Sequence, residues 1–96
     1  MCKELFLLGR TVATPAALAA LEGTGVSPAS LLARHHQGDW GDLCVEDAEA
    51  NHFALEEGAR IFSSYQVSAT DSGSFKVWVI TEADRSATTV LLPEDY

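Results

Sequence analysis

Positive charge is what this 96-residue chain has least of: 6 Lys plus Arg stand against 14 Asp plus Glu, giving a formal net charge of −8. Nonspecific nucleic-acid binding rests on cations that neutralise phosphates, so direct nucleic-acid binding is not expected. The charge favours a basic protein partner, including DNA-binding proteins that accept an acidic surface. Long apolar runs are also missing, and none approaches the ~18 residues that a membrane-spanning helix needs. The run Leu5-Phe6-Leu7-Leu8 is cut off by Gly9-Arg10 before a secretory apolar core can form. No membrane contact and a cytoplasmic location are the expectations. Cysteine is scarce too: Cys2 and Cys44 are too few for the disulfide framework of a small secreted domain, which typically has about four or more. Both read as free thiols in a reducing compartment.

The motifs of familiar chemistry are equally absent. There is no Gly-rich phosphate loop, no nucleophile elbow, no Cys-x-x-Cys and no His-Glu-x-x-His. A metal site drawn from His35, His36, Asp39, Cys44 and His52 lacks the paired ligand spacing that zinc requires. His35 falls instead on the apolar side of a helix with Leu31 and Leu32, as a hydrogen-bonded core histidine would. Cys44 or Ser86 as a nucleophile has no oxyanion loop beside it, and Cys44 fits the core face next to Leu55. No catalytic residue, metal or cofactor is assigned.

What the chain does have is apolar content. Hydrophobic residues make up 47% of it, enough for one core and too little length for two. It reads as one α+β domain over residues 1–96, with a helical half at about 14–58 and a β-meander at about 60–92. Residues 5–13 are short, apolar and β-tolerant, a strand or an extended lead-in. Thr14-Pro15 is an N-cap followed by proline at the first helical position; the helix continues over 16–22 and Gly23 ends it. Ser27-Pro28 repeats the device, and Gly38 stops the second helix, so the two predict a compact helical hairpin. Asp39-Trp40-Gly41-Asp42 reads as a turn around an anchoring aromatic, with Asp42 as N-cap of a third helix over 43–57 that Gly58 ends. At 100° per residue Cys44, Ala48, Asn51 and Leu55 share one face, so Asn51 is a buried amide. It needs partners, expected in the 38–42 turn or the 82–86 hairpin, and would tie the helices to the sheet.

From Arg60 the period changes to two. Residues 61–67, 75–80 and 88–92 alternate, with a turn at Asp71-Ser72-Gly73 and a stop at Pro93. Three strands with short connections predict an antiparallel meander covered on one face by the three helices. Trp78 shares a strand face with Lys76 and Ile80, either under a helix or as an apolar spot on the open face. Trp40 and Trp78 read as structural anchors. The apolar surplus of Trp78 and Ile80, with Val90 and Leu92 nearby, would be covered in a homodimer.

Several segments carry a resemblance: Leu8-Gly9 to Ala13-Thr14-Pro15, Ala33-Arg34-His35 with Gly38-Asp39-Trp40-Gly41, Glu46-Asp47 with Asn51, Gly58-Ala59-Arg60-Ile61, and residues 78–96 (WVITEADRSATTVLLPEDY). Together they resemble a widespread set of small acidic bacterial proteins of plasmids and other mobile elements, sometimes labelled restriction-associated. The resemblance spans nearly the whole chain and implies a mobile-element context. It brings no activity with it.

Two surfaces stand out as candidates. Between Arg34 and Arg60 there is no Lys or Arg, while Asp39, Asp42, Glu46, Asp47, Glu49, Glu56 and Glu57 all fall there. On the third helix Phe53 sits among Glu46, Glu49, Glu56 and Glu57 on the wet side, the pattern of an interface centre with a polar rim. This is the leading expectation: a non-enzymatic interaction protein, acting on a basic protein of a defence or plasmid-maintenance system as an inhibitor or DNA-charge mimic. The alternative is a small enzyme or ligand-binding domain in which Glu82, Asp84 and Arg85 clamp a ligand, with His35 or His52 contributed by the helices. The local reading of the same residues is a turn in which Asp84 caps backbone N–H groups and Arg85 pairs with its neighbours.

Overall fold

A computed structural model describes residues 5–69 and 73–96. Cys2 and the Asp71-Ser72 part of the expected turn lie outside the described residues. The elements run β1 (Arg10–Ala13), α1 (Pro15–Leu21), α2 (Pro28–His36), α3 (Val45–Glu57), β2 (Ile61–Ala69), β3 (Gly73–Thr81) and β4 (Ala87–Leu91), then a 3-10 turn at Pro93–Asp95. This is an α+β fold with three helices and one four-stranded mixed sheet in the order β1-β4-β3-β2.

The antiparallel pairings of β2 with β3 and of β3 with β4 are those of a meander. The sheet is larger than a three-stranded meander, because β1 adds to β4 in parallel, from Arg10 opposite Ala87 to Ala13 opposite Val90. Only residues 10–13 of the expected extended segment form that strand. The apolar pattern of one short segment does not encode which distant strand it meets, so this pairing is invisible locally.

Both hydroxyl caps are in place. Thr14 Oγ1 accepts from the Ala17 N–H at 3.1 Å, and Ser27 Oγ from the Ser30 N–H at 3.2 Å, with proline opening each helix. Thr14 also donates to Asp95 Oδ2 at 2.7 Å, which ties α1 to the C-terminal turn. α1 and α2 bury Ala17, Leu21 and Leu31 against the inward rows Tyr65-Val67, Val77-Val79 and Val90, with Leu92 beyond β4. A second, smaller cluster lies under α3: Trp40, Ala54 and Ile61, with Phe6, Leu43, Ala48, Leu55 and Ala59 packed around them.

The strand rows sort the apolar surplus differently from the expectation. Val90 and Leu92 belong to the inner core, whereas Trp78 and Ile80 sit on the other face with Phe62 and Leu91, their registered neighbours. The cause is strict strand alternation, which sends consecutive residues to opposite faces. On that outer face the Trp78 ring meets Phe62 edge-on at 5.0 Å and Tyr96, at the end of the 3-10 turn, at 5.9 Å.

Candidate functional site

The third helix starts later than its sequence pattern indicates, at Val45, and its N-cap is Cys44 in place of Asp42. The reason is that the preceding segment pairs with the outer edge of β2. Ser64 donates to the Trp40 carbonyl at 3.1 Å, and its own carbonyl accepts from the Asp42 N–H at 2.8 Å. Gly41 makes this possible: it has φ 80°, and an added Cβ would collide with the Ser64 carbonyl. Cys44 is exposed rather than on the core face, because as the N-cap it precedes the first helical turn and does not follow the helical spacing. Gly58 ends α3 in the left-handed region at φ 75°.

The inner side of α3 is narrow. Asn51 and Ala54 are buried, and Ala48 and Leu55 are half-buried. Asn51, 3% exposed, donates through Nδ2 to the Phe62 carbonyl at 2.6 Å and accepts the Phe62 N–H on Oδ1 at 3.0 Å. It ties helix to sheet as expected. Its partner is the edge of β2 rather than the 38–42 turn or the 82–86 hairpin, since α3 lies along that edge.

The outer side carries the candidate surface. Phe53 is 63% exposed and Val45 71%. Around them Glu46, Glu49, Glu56 and Glu57 are all exposed, and α3 has no Lys or Arg. Spacing at i−4, i+3 and i+4 puts Glu49, Glu56 and Glu57 directly beside Phe53. Glu46 and Asp47 in the first turn suit the positive end of the helix dipole. Glu56 and Glu57 sit at the negative end, where a carboxylate is unfavourable by roughly 0.3–1 kcal/mol. Their placement is therefore not explained by helix stability.

The residues of the 82–86 hairpin do not converge. Glu82 faces Arg60 at 3.4 Å, and Arg60 also donates to the Tyr96 hydroxyl at 2.7 Å. Asp84 accepts the Ser86 N–H at 3.0 Å, and the bonds from Ser86 hold its carboxyl below the usual range. Arg85 turns inward and donates to four backbone carbonyls: Ala59 at 2.7 Å, Ala54 at 3.0 Å, Ala83 at 3.1 Å and Glu82 at 3.2 Å. Its guanidinium thus neutralises the carbonyl end of α3 while closing its own turn, with the backbone at φ 60°. Asp84 thus takes the local, turn-forming role, whereas Arg85 closes its turn and also reaches across to the Ala54 and Ala59 carbonyls. A hollow of about 270 Å³ lies elsewhere, lined by Leu5, Phe6, Leu7, Leu8 and His36.

His35 is fully buried, with a partner on each nitrogen: Ser63 Oγ on Nδ1 at 2.5 Å and Thr81 Oγ1 on Nε2 at 2.9 Å. Thr81 and Thr88 hydroxyls are 2.7 Å apart, and Thr88 donates to the Leu8 carbonyl at 2.7 Å. A carbonyl only accepts, so every proton in the row is fixed. Thr88 gives its proton to Leu8, Thr81 donates to Thr88, and His35 Nε2–H donates to Thr81. Nδ1 is then the bare nitrogen and accepts from Ser63. Burial and then the neighbouring His36 push the imidazole pKa down to about 3, so it stays neutral. Sequence reasoning placed His35 in the core but missed this row. The signal was present: Ser63, Thr81 and Thr88 are polar residues at inward positions of three strands.

His52 is exposed on α3, and its ring lies 6.1 Å from Trp40. Trp40 is 6% exposed, stacked on Phe6 at 6.2 Å, and its indole N–H finds no acceptor among the described residues. Just before it, Asp39 pairs with Arg34 at 2.7 Å, which lowers the carboxyl pKa, and the Arg34 guanidinium stands 4.5 Å over the Tyr65 ring. Among the described residues no three His, Cys, Asp or Glu side chains group as metal ligands would, and no helix is long and apolar enough to cross a membrane. No protein-family profile, curated protein or solved structure matches the chain.

Proposed function

We propose that the protein is a non-enzymatic interaction protein that docks a basic protein partner on the outer face of α3. The observation that carries this reading is Phe53, 63% exposed at the centre of Glu46, Glu49, Glu56 and Glu57. An exposed aromatic ringed by carboxylates has the form of an interface centre with a polar rim. A basic partner that covers the ring would supply cations to that rim, including Glu56 and Glu57 at the negative end of the helix. Exposed carboxylates along one helix also present charge much as phosphates do to a DNA-binding protein, so an inhibitor or DNA-charge mimic is the form of activity we infer. The resemblance to plasmid and mobile-element proteins makes a defence or plasmid-maintenance protein the class of partner. The test is affinity capture from a bacterial extract with the wild type and with Glu46, Glu49, Glu56 and Glu57 all changed to Gln. The reading expects a basic protein that the variant loses; a variant that retains every wild-type partner overturns it.

A further inference from the structure

We infer that α3 is a detachable clasp over the edge of β2, opening as a unit while the rest of the fold stays closed. Its attachment differs from that of α1 and α2. Those two helices have hydroxyl caps and share the main core. α3 begins at Cys44 with no side-chain cap among the described residues, ends in Glu56-Glu57, and buries Ala54 in the small separate cluster. Left-handed glycines, Gly41 and Gly58, bracket the segment and supply the backbone freedom of a hinge.

The apolar tie to the sheet is the small cluster in which Ala54 packs with Ile61, Ala48 and Leu55 lying partly buried around it. Among the described residues the polar ties include the paired bonds between Asn51 and Phe62, the Arg85 bond to the Ala54 carbonyl, the Asp42 N–H bond to Ser64, and the 3.3 Å pair of Lys76 with Asp42. Few buried apolar contacts and a separate cluster are the marks of an element that opens below the global unfolding free energy. The Trp40 indole N–H adds a bias. It is buried within this cluster without an acceptor among the described residues, and opening lets water reach it. What opening bares is the Phe62 N–H and C=O on the outer edge of β2, so α3 gates an edge capable of strand pairing.

This device does not depend on what docks on α3. Its test is residue-resolved amide hydrogen exchange on the full chain. The amides of Asn51 to Leu55 and the amide of Phe62 should exchange with one common protection, at least about tenfold below that of the central β3 and β4 amides. Cys44→Ser, which adds a capping hydroxyl at an exposed site, should slow the α3 and Phe62 amides together by about fivefold and leave β3 and β4 unchanged. The inference is overturned if Phe62 and α3 are protected to the level of β3 and β4. It is equally overturned if Cys44→Ser slows all elements alike or none.

Discussion

Asn51 stands in for a strand: its carboxamide offers the Phe62 backbone the acceptor and donor that a neighbouring strand would offer, at 3.0 and 2.6 Å. β2 is an outer strand of the sheet, and its Phe62 and Ser64 rungs are filled by a side chain and by the 40–42 backbone. Asn51→Leu leaves the Phe62 groups unpaired under a helix, a loss of roughly 1–3 kcal/mol. The melting temperature should fall by several degrees, at about 4–8 °C per kcal/mol for a chain this size. Capture of the partner by the folded fraction should be unchanged. A thermal melt followed by circular dichroism checks the first expectation, and an unchanged melt with lost capture would move Asn51 to the functional surface.

Arg85 combines a strained backbone with a fully engaged side chain. At φ 60° a non-glycine residue carries about 1 kcal/mol of strain or more. Both Arg85→Ala and Arg85→Gly lose the bonds to Ala54, Ala59, Glu82 and Ala83, so both should be destabilised. The Gly variant, free of the strain, should be the more stable of the two by about 1 kcal/mol. Urea midpoints measured side by side decide this; equal midpoints would mean that the turn relaxes.

For His35 the native state keeps the imidazole neutral down to about pH 3, while the unfolded chain takes up a proton near the ordinary value of 6.5. Between these values the unfolded state binds more protons, so stability is complete above pH 6.5 and falls as the pH drops toward 3. The slope from this one group approaches 1.4 kcal/mol per pH unit. Urea unfolding between pH 7.5 and 5 should show that loss before most carboxylates titrate. His35→Gln, less stable at neutral pH because the buried row is broken, should lose the His35 part of the slope.

Two glycines with similar angles should respond differently. Gly58→Ala meets nothing within 4 Å and carries only the left-handed backbone penalty, about 1 kcal/mol. Gly41→Ala adds a collision with the Ser64 carbonyl and the Tyr65 ring, so the 40–42 segment must leave the edge of β2. Denaturant titration should rank Gly41→Ala clearly below Gly58→Ala.

The legible parts of this fold were those that local chemistry specifies. Thr14-Pro15, Ser27-Pro28 and Gly58 mark their helix ends because a cap acts within a few residues, and the change of period at Arg60 marks the start of β2. The exposure of Phe53 and burial of Asn51 follow from helical spacing. What stayed hidden depends on distant pairing: the parallel junction of β1 with β4, Phe62 as the partner of Asn51, and the hydroxyl row through Ser63, His35, Thr81 and Thr88. Arg85 misleads for a related reason, since an arginine in a polar turn looks like a ligand clamp until the carbonyl end of α3 comes to rest beside it.

If a basic partner docks on Phe53 and its rim as proposed, position on α3, and not total acidity, selects it. Glu49 and Glu56 flank Phe53, whereas Glu22 and Glu94 are exposed elsewhere on the molecule. Changing either pair to Gln removes the same charge. Quantitative capture from one extract, comparing the wild type with the two double variants, isolates position. The Glu49/Glu56→Gln protein should lose the basic partner, and Glu22/Glu94→Gln should retain it at the wild-type level. Equal loss in both variants, or full retention in both, would contradict this.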